Sequence, residues 1–582
     1  MMEKGILVME EELNEKYKAK YERFVRLSNT YRDEKALQEL MDRLSKRAYK
    51  QLEVLLAYLV LGGSCDTDLK LADVLKKAQA TSSIVKTMVD KGIFEVYERQ
   101  VSRLKDFKAQ ADAGSIQLTP AQQQAYHQIK AGFADAKPVL LHGVTSSGKT
   151  ELYIKLIQEA VDEGKQVLYL LPEIALTAQI INRLKRFFGD KLGVYHSRYG
   201  ANERVEVWRQ VRDFALNKGS QRQIIIGSRS AIFLPYSDLG LVIVDEEHDS
   251  SFKQTDPAPR YHARDAAIVL SSLHHANVLL GSATPSYESY FNAQKGRYHL
   301  VEITQRYGGV EMPEVILSDI RVERKRKTLK ADFGSVLLDS VKDTLADGHQ
   351  AILFQNRRGF SLRIECDDCH HVPQCINCDV SLIYHKSQNV MRCHYCGYTA
   401  SVPAECPQCH STNIKMHGFG TEKVEEDLKT LLPEAKVARL DLDTTRSRND
   451  YQRILEAFQD KETDILVGTQ MVTKGLDFDS VKVVGILNAD NMLSFPDFRA
   501  HERSFQLMSQ VAGRAGRKGG QGKVIIQTYE PSHPVLQDVL RNDFKGLYEK
   551  QMLTRRQFGY PPFYRLVLIR LKHKDFQRSE EH

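Results

Sequence analysis

The sequence has no run of about eighteen consecutive apolar residues, the length that a membrane-spanning helix needs, so no such helix is predicted. Its first residues, MMEKGILVMEEEL, lack an apolar core followed by a small-residue cleavage site, and we expect no secretory leader. No internal repeat or low-complexity tract is present either. Together these absences predict a cytoplasmic protein without a membrane anchor.

With 582 residues, the chain is too long for a single hydrophobic core, so several domains are predicted. Apolar residues make up 42% and charged residues 27% of the sequence, which is typical of a globular protein. The formal net charge of +7 permits nucleic-acid binding but does not require it.

Eight of the nine cysteines form four Cys-x-x-Cys pairs in the second half of the chain. Because a reducing cytoplasm disfavours disulfides, these pairs indicate metal ligation. The ninth, Cys65, is predicted to be a small buried apolar residue.

Four ligands for each tetrahedral ion imply two closed sites. Fourteen residues separate Cys378 from Cys393, close to zinc-ribbon spacing, whereas only five separate Cys369 from Cys375. The inner pairs should therefore share one ion and the outer pairs the other. The predicted ligands are Cys366, Cys369, Cys406 and Cys409 for site 1, and Cys375, Cys378, Cys393 and Cys396 for site 2. The ribbon-like spacing favours structural zinc over the competing interpretation, an iron–sulfur cluster.

Residues 46–108 have the pattern of three helices followed by a strand, which is typical of a winged helix. The segment TSSIVKTM would be its recognition helix, and a generic helical packing domain is an equally good interpretation of the pattern. Residues 1–45 are highly charged, with apolar residues at helical spacing, and are predicted to be exposed helices.

From about residue 115 the pattern becomes α/β. Near-continuous apolar runs such as PVLLHGV, QVLYLLP and LGLVIVDEEH alternate with helical segments, as a parallel sheet covered on both faces requires. A second set of such runs begins near residue 350, so two α/β lobes are predicted, with the cysteines interrupting the second.

The segment GVTSSGKT at 143–150 follows a predicted strand and precedes a predicted helix, the context in which this spacing forms a phosphate-binding loop. Lys149 would reach the β- and γ-phosphates of a nucleotide, and the Thr150 hydroxyl would bind Mg²⁺. About a hundred residues later, at the end of a strand, Asp245 would hold the Mg²⁺ and Glu246 would polarise the attacking water.

Nine segments occur in this order: GVTSSGKTE, LPEIALT, DEEHDSSFKQ, PRYHARDAA, GSATPS, NRRGF, GTQMVTKGLDF, DFRAHERSFQLM and QVAGRAGR. They resemble the motif series of the primosomal replication-restart helicases, the PriA family of superfamily 2. The resemblance extends from about residue 46 to the C-terminal end.

The resemblance implies an α/β protein with two RecA-like helicase lobes, an inserted double zinc-binding module and an N-terminal winged-helix domain. The expected domains are 1–45, a charged helical N-terminal segment; 46–108, the winged helix; 109–305, helicase lobe 1 with the ATP site; 306–361, a linker and the start of lobe 2; 362–412, the two-zinc module; 413–555, the rest of lobe 2; and 556–582, the beginning of a truncated C-terminal domain.

It also implies roles for individual residues. The nucleotide-binding set would be Gln122 as adenine sensor, with Gly143, Ser147, Gly148, Lys149 and Thr150. The catalytic set would be Lys149, Asp245, Glu246, Gln510, Arg514 and Arg517, the arginines stabilising the phosphoryl transition state. DNA contact and its coupling to the nucleotide would involve His248, Arg260, Tyr261, Arg264, Ser282 and Thr284, with Arg260 and Arg264 meeting phosphates.

The implied function is an ATP-dependent 3′→5′ DNA helicase at stalled or collapsed replication forks, with ATP, Mg²⁺ and two Zn²⁺ as cofactors. The implied partners are forked and single-stranded DNA, single-stranded DNA-binding protein, and proteins of the primosome and of replicative-helicase loading. Two alternatives remain at this point: a competence-type DNA translocase, and a non-catalytic DNA-binding or loading scaffold.

Overall fold

A computed structural model of the chain describes residues 20–62, 67–101, 116–172, 178–196, 199–216, 222–309, 312–355, 363–366, 368–369, 371–377, 380–385, 389–393, 397–417, 421–441, 444–445, 448–472, 478–516 and 521–567. The chain divides into two compact units, one formed by 1–108 with 198–210 and the other by 109–197 with 211–582.

The first unit contains a three-stranded antiparallel sheet and four helices packed on one apolar core. Its elements are β1 (Lys20–Leu27), α1 (Glu34–Arg47), α2 (Tyr49–Gly62), β2 (Leu69–Lys70), α3 (Leu71–Ala78), α4 (Ser82–Asp90) and β3 (Phe94–Val101). The helix predicted over TSSIVKTM is α4, and Gly92 after it adopts the left-handed backbone that ends many helices.

The sequence prediction of exposed helices is wrong for Lys20–Leu27, which forms the central strand β1 of this sheet. Its residues pair with β3 along its full length, from Lys20 opposite Val101 to Leu27 opposite Phe94. Cross-strand pairing over eight residues outweighs the local spacing of apolar residues, because strand preference depends on the neighbouring strands.

Lobe 1 is built on a seven-stranded parallel sheet in the order β10-β4-β9-β8-β5-β7-β6. Its elements are α5 (Pro120–Ala134), β4 (Val139–Gly143), α6 (Lys149–Asp162), β5 (Gln166–Leu170), α7 (Ala178–Phe188), β6 (Leu192–Tyr195), α8 (Ala201–Arg212, assigned mostly to the first unit), β7 (Ile224–Gly227), β8 (Leu239–Asp245), α9 (Ala263–His274), β9 (Asn277–Ser282), α10 (Tyr287–Gln294) and β10 (His299–Ile303).

Lobe 2 is built on a six-stranded parallel sheet in the order β11-β21-β20-β12-β19-β18. It opens with β11 (Glu314–Asp319), α11 (Ile320–Lys325), α12 (Ser335–Ala346) and β12 (Gln350–Phe354). The inserted module follows, with β13 (Arg363–Cys366), β14 (Ile383–His385), β15 (Val390–Arg392), β16 (Thr399–Ser401) and β17 (Ile414–His417). The chain then continues through α13 (Thr421–Leu431), β18 (Val437–Leu440), α14 (Arg448–Gln459), β19 (Ile465–Gly468), β20 (Val481–Ile486), α15 (Asp490–Leu493), α16 (Ala500–Ala512), β21 (Lys523–Thr528), α17 (Pro534–Leu540) and α18 (Phe544–Gln557).

Both lobes confirm the predicted α/β class. The central strands are completely buried, as the continuous apolar runs required; Leu168, Val242 and Leu279 of lobe 1 are fully inaccessible to solvent. Since all strands of each sheet are parallel, their carboxyl ends lie at one edge, where ligands bind in sheets of this kind.

Candidate nucleotide site and zinc module

The phosphate loop lies where predicted, between β4 and α6. Gly148 has a left-handed backbone (φ 79°), which favours glycine, and Lys149 begins the helix, so backbone N–H groups are available at its N-terminus. The Lys149 Nζ donates to the carbonyl oxygen of Gly143 at 2.7 Å. The buried hydroxyls of Ser146 and Ser147 make no hydrogen bond within the described part of the chain. Unpaired buried donors beside a helix N-terminus fit a bound phosphate group.

Gln122 is almost completely buried and braces this loop. Its Oε1 accepts the N–H of Thr119 at 2.9 Å, closing a capping box at the start of α5. Its Nε2 lies 3.2 Å from the carbonyl oxygen of Ser147 and 3.3 Å from that of Gly148, to which it donates. The predicted adenine-sensing role of Gln122 stays a prediction, while its contacts hold the loop in place.

Asp245, at the carboxyl end of β8, accepts hydrogen bonds from two buried tyrosines. The Tyr153 hydroxyl donates to Oδ1 at 3.0 Å and the Tyr169 hydroxyl to Oδ2 at 3.3 Å. Burial and the neighbouring Glu246 carboxylate raise the pKa of Asp245 to about 6, although the Lys149 charge opposes them.

Sequence reasoning missed both tyrosines. The available signal was the position of Tyr153, one turn after Lys149 on α6, which places both residues on the same helix face. Gly281 on β9 leaves room for the hydrogen bond from Tyr153 to Asp245, because a Cβ there would lie 1.8 Å from the Tyr153 hydroxyl.

Glu246 connects the acidic segment of lobe 1 to helix α16 of lobe 2. Its backbone is left-handed (φ 51°), an uncommon conformation for a residue other than glycine and one that concentrates at functional sites. The Nε2 of Gln510 donates to Glu246 Oε2 at 3.1 Å and lies 3.0 Å from Nε2 of His248. On the other side of its ring, His248 Nδ1 lies 2.8 Å from the Ser282 hydroxyl oxygen, which accepts the N–H of Thr284 at 3.0 Å.

The structure thus brings together, in one hydrogen-bonded chain, residues that the sequence placed in three separate motifs. Gly513, just after α16, approaches the phosphate loop so closely that a Cβ there would lie 2.5 Å from Thr145. Arg514 follows it and is half-buried. Arg517 lies outside the described residues.

Arg264, predicted to contact a DNA phosphate, is instead buried inside lobe 1. Its Nη1 donates to the Glu247 carboxylate at 2.9 Å and to the Ser286 hydroxyl at 2.6 Å. Glu247 is fully buried and also accepts from the backbone N–H of Ser286 at 2.7 Å and from the Ser289 hydroxyl at 2.8 Å. This geometry argues against a phosphate contact by Arg264. Sequence reasoning did not identify Glu247 as its partner.

Arg260 is exposed, as a phosphate contact requires, and its Nε donates to the carbonyl oxygen of Thr255 at 2.9 Å. The Tyr261 ring packs edge-on against Phe233, with ring centroids 4.9 Å apart. A cleft of about 1230 Å³ lies between the lobes, and its lining residues include His248, Lys253, Arg499, Arg503 and Gln510. Its basic residues suit a polyanion such as a nucleic-acid strand.

The outer cysteines converge as predicted for site 1. The Sγ atoms of Cys366, Cys369, Cys406 and Cys409 all lie within 4.8 Å of one another. Four thiolates at this spacing fit one tetrahedral zinc ion. Of the inner set, Cys375 and Cys393 are buried in the module core, whereas Cys378 and Cys396 lie outside the described residues.

Comparisons with known proteins agree with this architecture. The family model of the winged helix domain of PriA helicases in Bacteroidota matches residues 22–101, and that of the PriA DNA helicase Cys-rich region matches 375–400. The models of DEAD/DEAH box helicases and of the helicase conserved C-terminal domain match 119–292 and 410–519. The chain is 41% identical to the replication restart protein PriA of Bacillus subtilis (strain 168), over 95% of this chain and 68% of that protein. The chain belongs to the PriA family.

Other members of the PriA family are similar to the same degree. The protein from Synechocystis is 40% identical over 90% of this chain and 63% of its own length, and that from Haemophilus influenzae is 42% identical over 76% and 59%. The chain spans about two thirds of the length of these curated relatives.

Family membership decides between the structural alternatives that the sequence left open. The first unit is a winged-helix domain, not a generic packing domain, and the two lobes are those of a superfamily 2 DNA helicase ATPase. The Cys-rich family model and the outer cysteine cluster indicate zinc binding rather than an iron–sulfur cluster. Among the described residues, no helix is long and apolar enough to cross a membrane.

Proposed function

We propose that this chain is an ATP-dependent 3′→5′ DNA helicase that acts at stalled or collapsed replication forks and initiates primosome assembly for replication restart. The observation that carries the proposal is the contact between Gln510 of lobe 2 and Glu246 with His248 of lobe 1. Because a residue of lobe 2 contacts the proposed catalytic glutamate of lobe 1, closing and opening of the lobes can be linked to hydrolysis.

At the nucleotide, Lys149 would bind the β- and γ-phosphates, and Gly143, Ser147 and Gly148 would surround them. Thr150 and Asp245 would hold Mg²⁺, which would neutralise the negative charge that develops on the phosphates. Glu246 would orient and polarise the attacking water. Arg514 and Arg517 would stabilise the phosphoryl transition state from lobe 2.

The chain of contacts from Gln510 through His248 to Ser282 and Thr284 supports a link between nucleotide state and the cleft. Single-stranded DNA would bind in that cleft, with Arg260 meeting phosphates and Tyr261 stacking on a base. The protein partners in this proposal are single-stranded DNA-binding protein and the proteins of the primosome and of replicative-helicase loading, all in the cytoplasm.

We also propose two structural Zn²⁺ ions in the Cys-rich module. In all four cysteine pairs, the N–H of the first cysteine donates to the carbonyl oxygen five residues later: Cys366 to His371, Cys375 to Val380, Cys393 to Tyr398 and Cys406 to Ser411, at 2.8–3.1 Å. Because the inner pairs share the backbone turn of the outer pairs, whose thiols converge, a second ion held by Cys375, Cys378, Cys393 and Cys396 is supported. Elemental analysis should give two zinc atoms per chain, and about one in a Cys375→Ser variant; one in the unaltered chain would contradict the second site.

The test of the motor is ATP hydrolysis with and without forked DNA, comparing the unaltered chain with Lys149→Ala and with Lys191→Ala, an exposed lysine of the same lobe. We expect DNA-stimulated turnover that is lost in Lys149→Ala and retained in Lys191→Ala. A folded, zinc-loaded chain without turnover would favour a DNA-binding scaffold instead.

A further inference from the structure

Arg555, on helix α18 after the last strand of lobe 2, has the largest fully buried side chain in the described part of the protein. Its Nη2 donates to Glu502 Oε2 at 2.5 Å, and its Nη1 donates to Glu288 Oε1 and to the carbonyl oxygen of Pro561, both at 3.2 Å. The guanidinium also lies over the ring of Tyr287, 4.8 Å from its centroid. Burying an arginine with two carboxylates carries a large desolvation cost. The arrangement is stable only while both carboxylates remain paired with the guanidinium.

The two carboxylates belong to different lobes. Glu288 lies on α10 of lobe 1, and Glu502 lies on α16 of lobe 2. Glu502 also reaches into lobe 1 with its other oxygen, which accepts the backbone N–H of Tyr287 at 2.9 Å. Arg499, at the start of α16, pairs with Glu288 at 2.8 Å. Helix α18 therefore fixes α16 against α10.

The same face of α16 continues to the nucleotide site. Glu502, Gln506 and Gln510 are spaced four residues apart, so they lie along one side of the helix. The Gln506 Nε2 lies 3.3 Å from the carbonyl oxygens of Thr284 and Pro285, to which it donates. Eight residues of helix span about 12 Å, and a rigid helix carries a shift at Glu502 to Gln510.

We propose that Arg555 is a positioning residue for ATP hydrolysis: by holding Glu502 and Glu288 together, it keeps α16 in the register in which Gln510 reaches Glu246 and His248. The inference rests on the proposed helicase function. Glu288 and Glu502 line the same interlobe cleft as His248 and Gln510. A DNA strand bound in the cleft therefore contacts the helices that Arg555 links, α10 and α16. Stimulation of hydrolysis by DNA then depends on the Arg555 contacts to Glu288 and Glu502.

The test compares Arg555→Met and Arg555→Lys with Arg556→Met, a matched control at the next, exposed arginine. We expect Arg555→Met to lower kcat with DNA by on the order of tenfold or more, because a shift of up to about 1 Å in Gln510 would misplace a catalytic group. The KM for ATP should stay within about twofold of the unaltered value. Arg555→Lys should recover part of kcat, because a single ammonium keeps the charge but not the fork that spans both carboxylates. Arg556→Met should behave as the unaltered chain.

Hydrogen exchange of the Tyr287 amide gives a second readout that needs no turnover. This amide should exchange faster in Arg555→Met, because Glu502 is no longer held against it. Unchanged exchange, or an unchanged kcat with DNA, would overturn the inference. If Arg555→Met does not fold, Glu502→Gln replaces it in the test. The glutamine side chain keeps the shape of the glutamate but loses its charge. An unchanged kcat in Glu502→Gln would also overturn the inference. Absence of turnover in the unaltered chain would instead overturn the helicase function and the catalytic part of the inference, while exchange still decides whether Arg555 ties the lobes.

Discussion

Two buried arginine–carboxylate networks lie at the interlobe cleft, and they differ in which elements they join. Arg264 and Glu247 are both in lobe 1, and the hydroxyls and N–H that complete their network come from lobe 1 as well. Arg555 instead joins Glu288 of lobe 1 to Glu502 of lobe 2. The first network can persist through every arrangement of the lobes, whereas the second must change whenever the lobes move apart.

The difference also appears in how each network would respond to loss of its arginine. Glu247 has a single cationic partner within the described residues, which is Arg264. Glu288 and Glu502 have a second cation nearby, because Arg499 lies 2.8 Å from Glu288 and 3.5 Å from Glu502. If Arg555 is lost, Arg499 therefore remains as a counter-charge for both carboxylates.

The largest expected effect is that of Arg264→Met on stability. It leaves the Glu247 carboxylate buried and unpaired, which should cost about 3–5 kcal/mol. Thermal unfolding followed by circular dichroism should show a clearly lowered first transition, compared with Arg260→Met at an exposed position as control. Arg555→Met should be destabilised less, owing to Arg499. Equal destabilisation of the two variants would contradict the comparison.

A smaller effect is expected from Tyr153→Phe, which removes one of the two tyrosine hydrogen bonds to Asp245. The remaining donors, the Tyr169 hydroxyl and the Glu246 N–H, should limit the loss of Mg²⁺ binding free energy to about 0.5–1.5 kcal/mol, a roughly three- to tenfold weakening. The Mg²⁺ concentration that half-saturates binding of a fluorescent ATP analogue measures it. Because these contacts are confined to lobe 1, the ratio of DNA-stimulated to basal hydrolysis should be unchanged. A changed ratio would show that this pair also senses the other lobe.

The smallest expected effect is the loss of the Glu288 contribution to stability at low pH. Burial alone would raise the pKa of Glu288, but Arg499 and then Arg555 outweigh it and lower the pKa to about 2. A depressed pKa means that the contribution of Glu288 to stability is complete above its unfolded value of 4.5 and is lost as the pH falls towards 2. The difference in urea midpoint between the unaltered chain and Glu288→Gln should therefore be constant above about pH 5 and shrink below it. A constant difference down to pH 3 would contradict the assigned pairing.

The sequence predicted the fold best where strands are buried on both faces. The inner strands of both parallel sheets appear in it as near-continuous apolar runs. The strands of these two sheets that were not predicted, β6, β10 and β11, are edge strands. An edge strand has one neighbour and less need for a continuous apolar run, so its pattern is weaker. Strand β1 was mistaken for a helix because its partner β3 follows about seventy residues later.

Candidate site residues could be named from the sequence where their chemistry is local. Lys149, Asp245 and Glu246 lie in short motifs with a physical reason for their spacing. Arg555 lies in no such motif, and Glu247 lies in DEEH without a role of its own there. The roles of both come from partners that only the folded chain brings together. The same reason explains why Arg264 was assigned to DNA: an arginine in a polar loop and one buried beside a carboxylate look identical in sequence.

The zinc module enters and leaves lobe 2 side by side. Strand β13 pairs antiparallel with β17, so Arg363 lies opposite His417 and Cys366 opposite Ile414. The outer cysteines come together at this junction, with Cys366 Sγ 3.6 Å from Cys409 Sγ. Because the two ends of the insertion meet, the length of the chain between them does not alter the sheet of lobe 2. In evolutionary terms, paired ends of this kind allow an insertion to change in length between β13 and β17 while their pairing is kept.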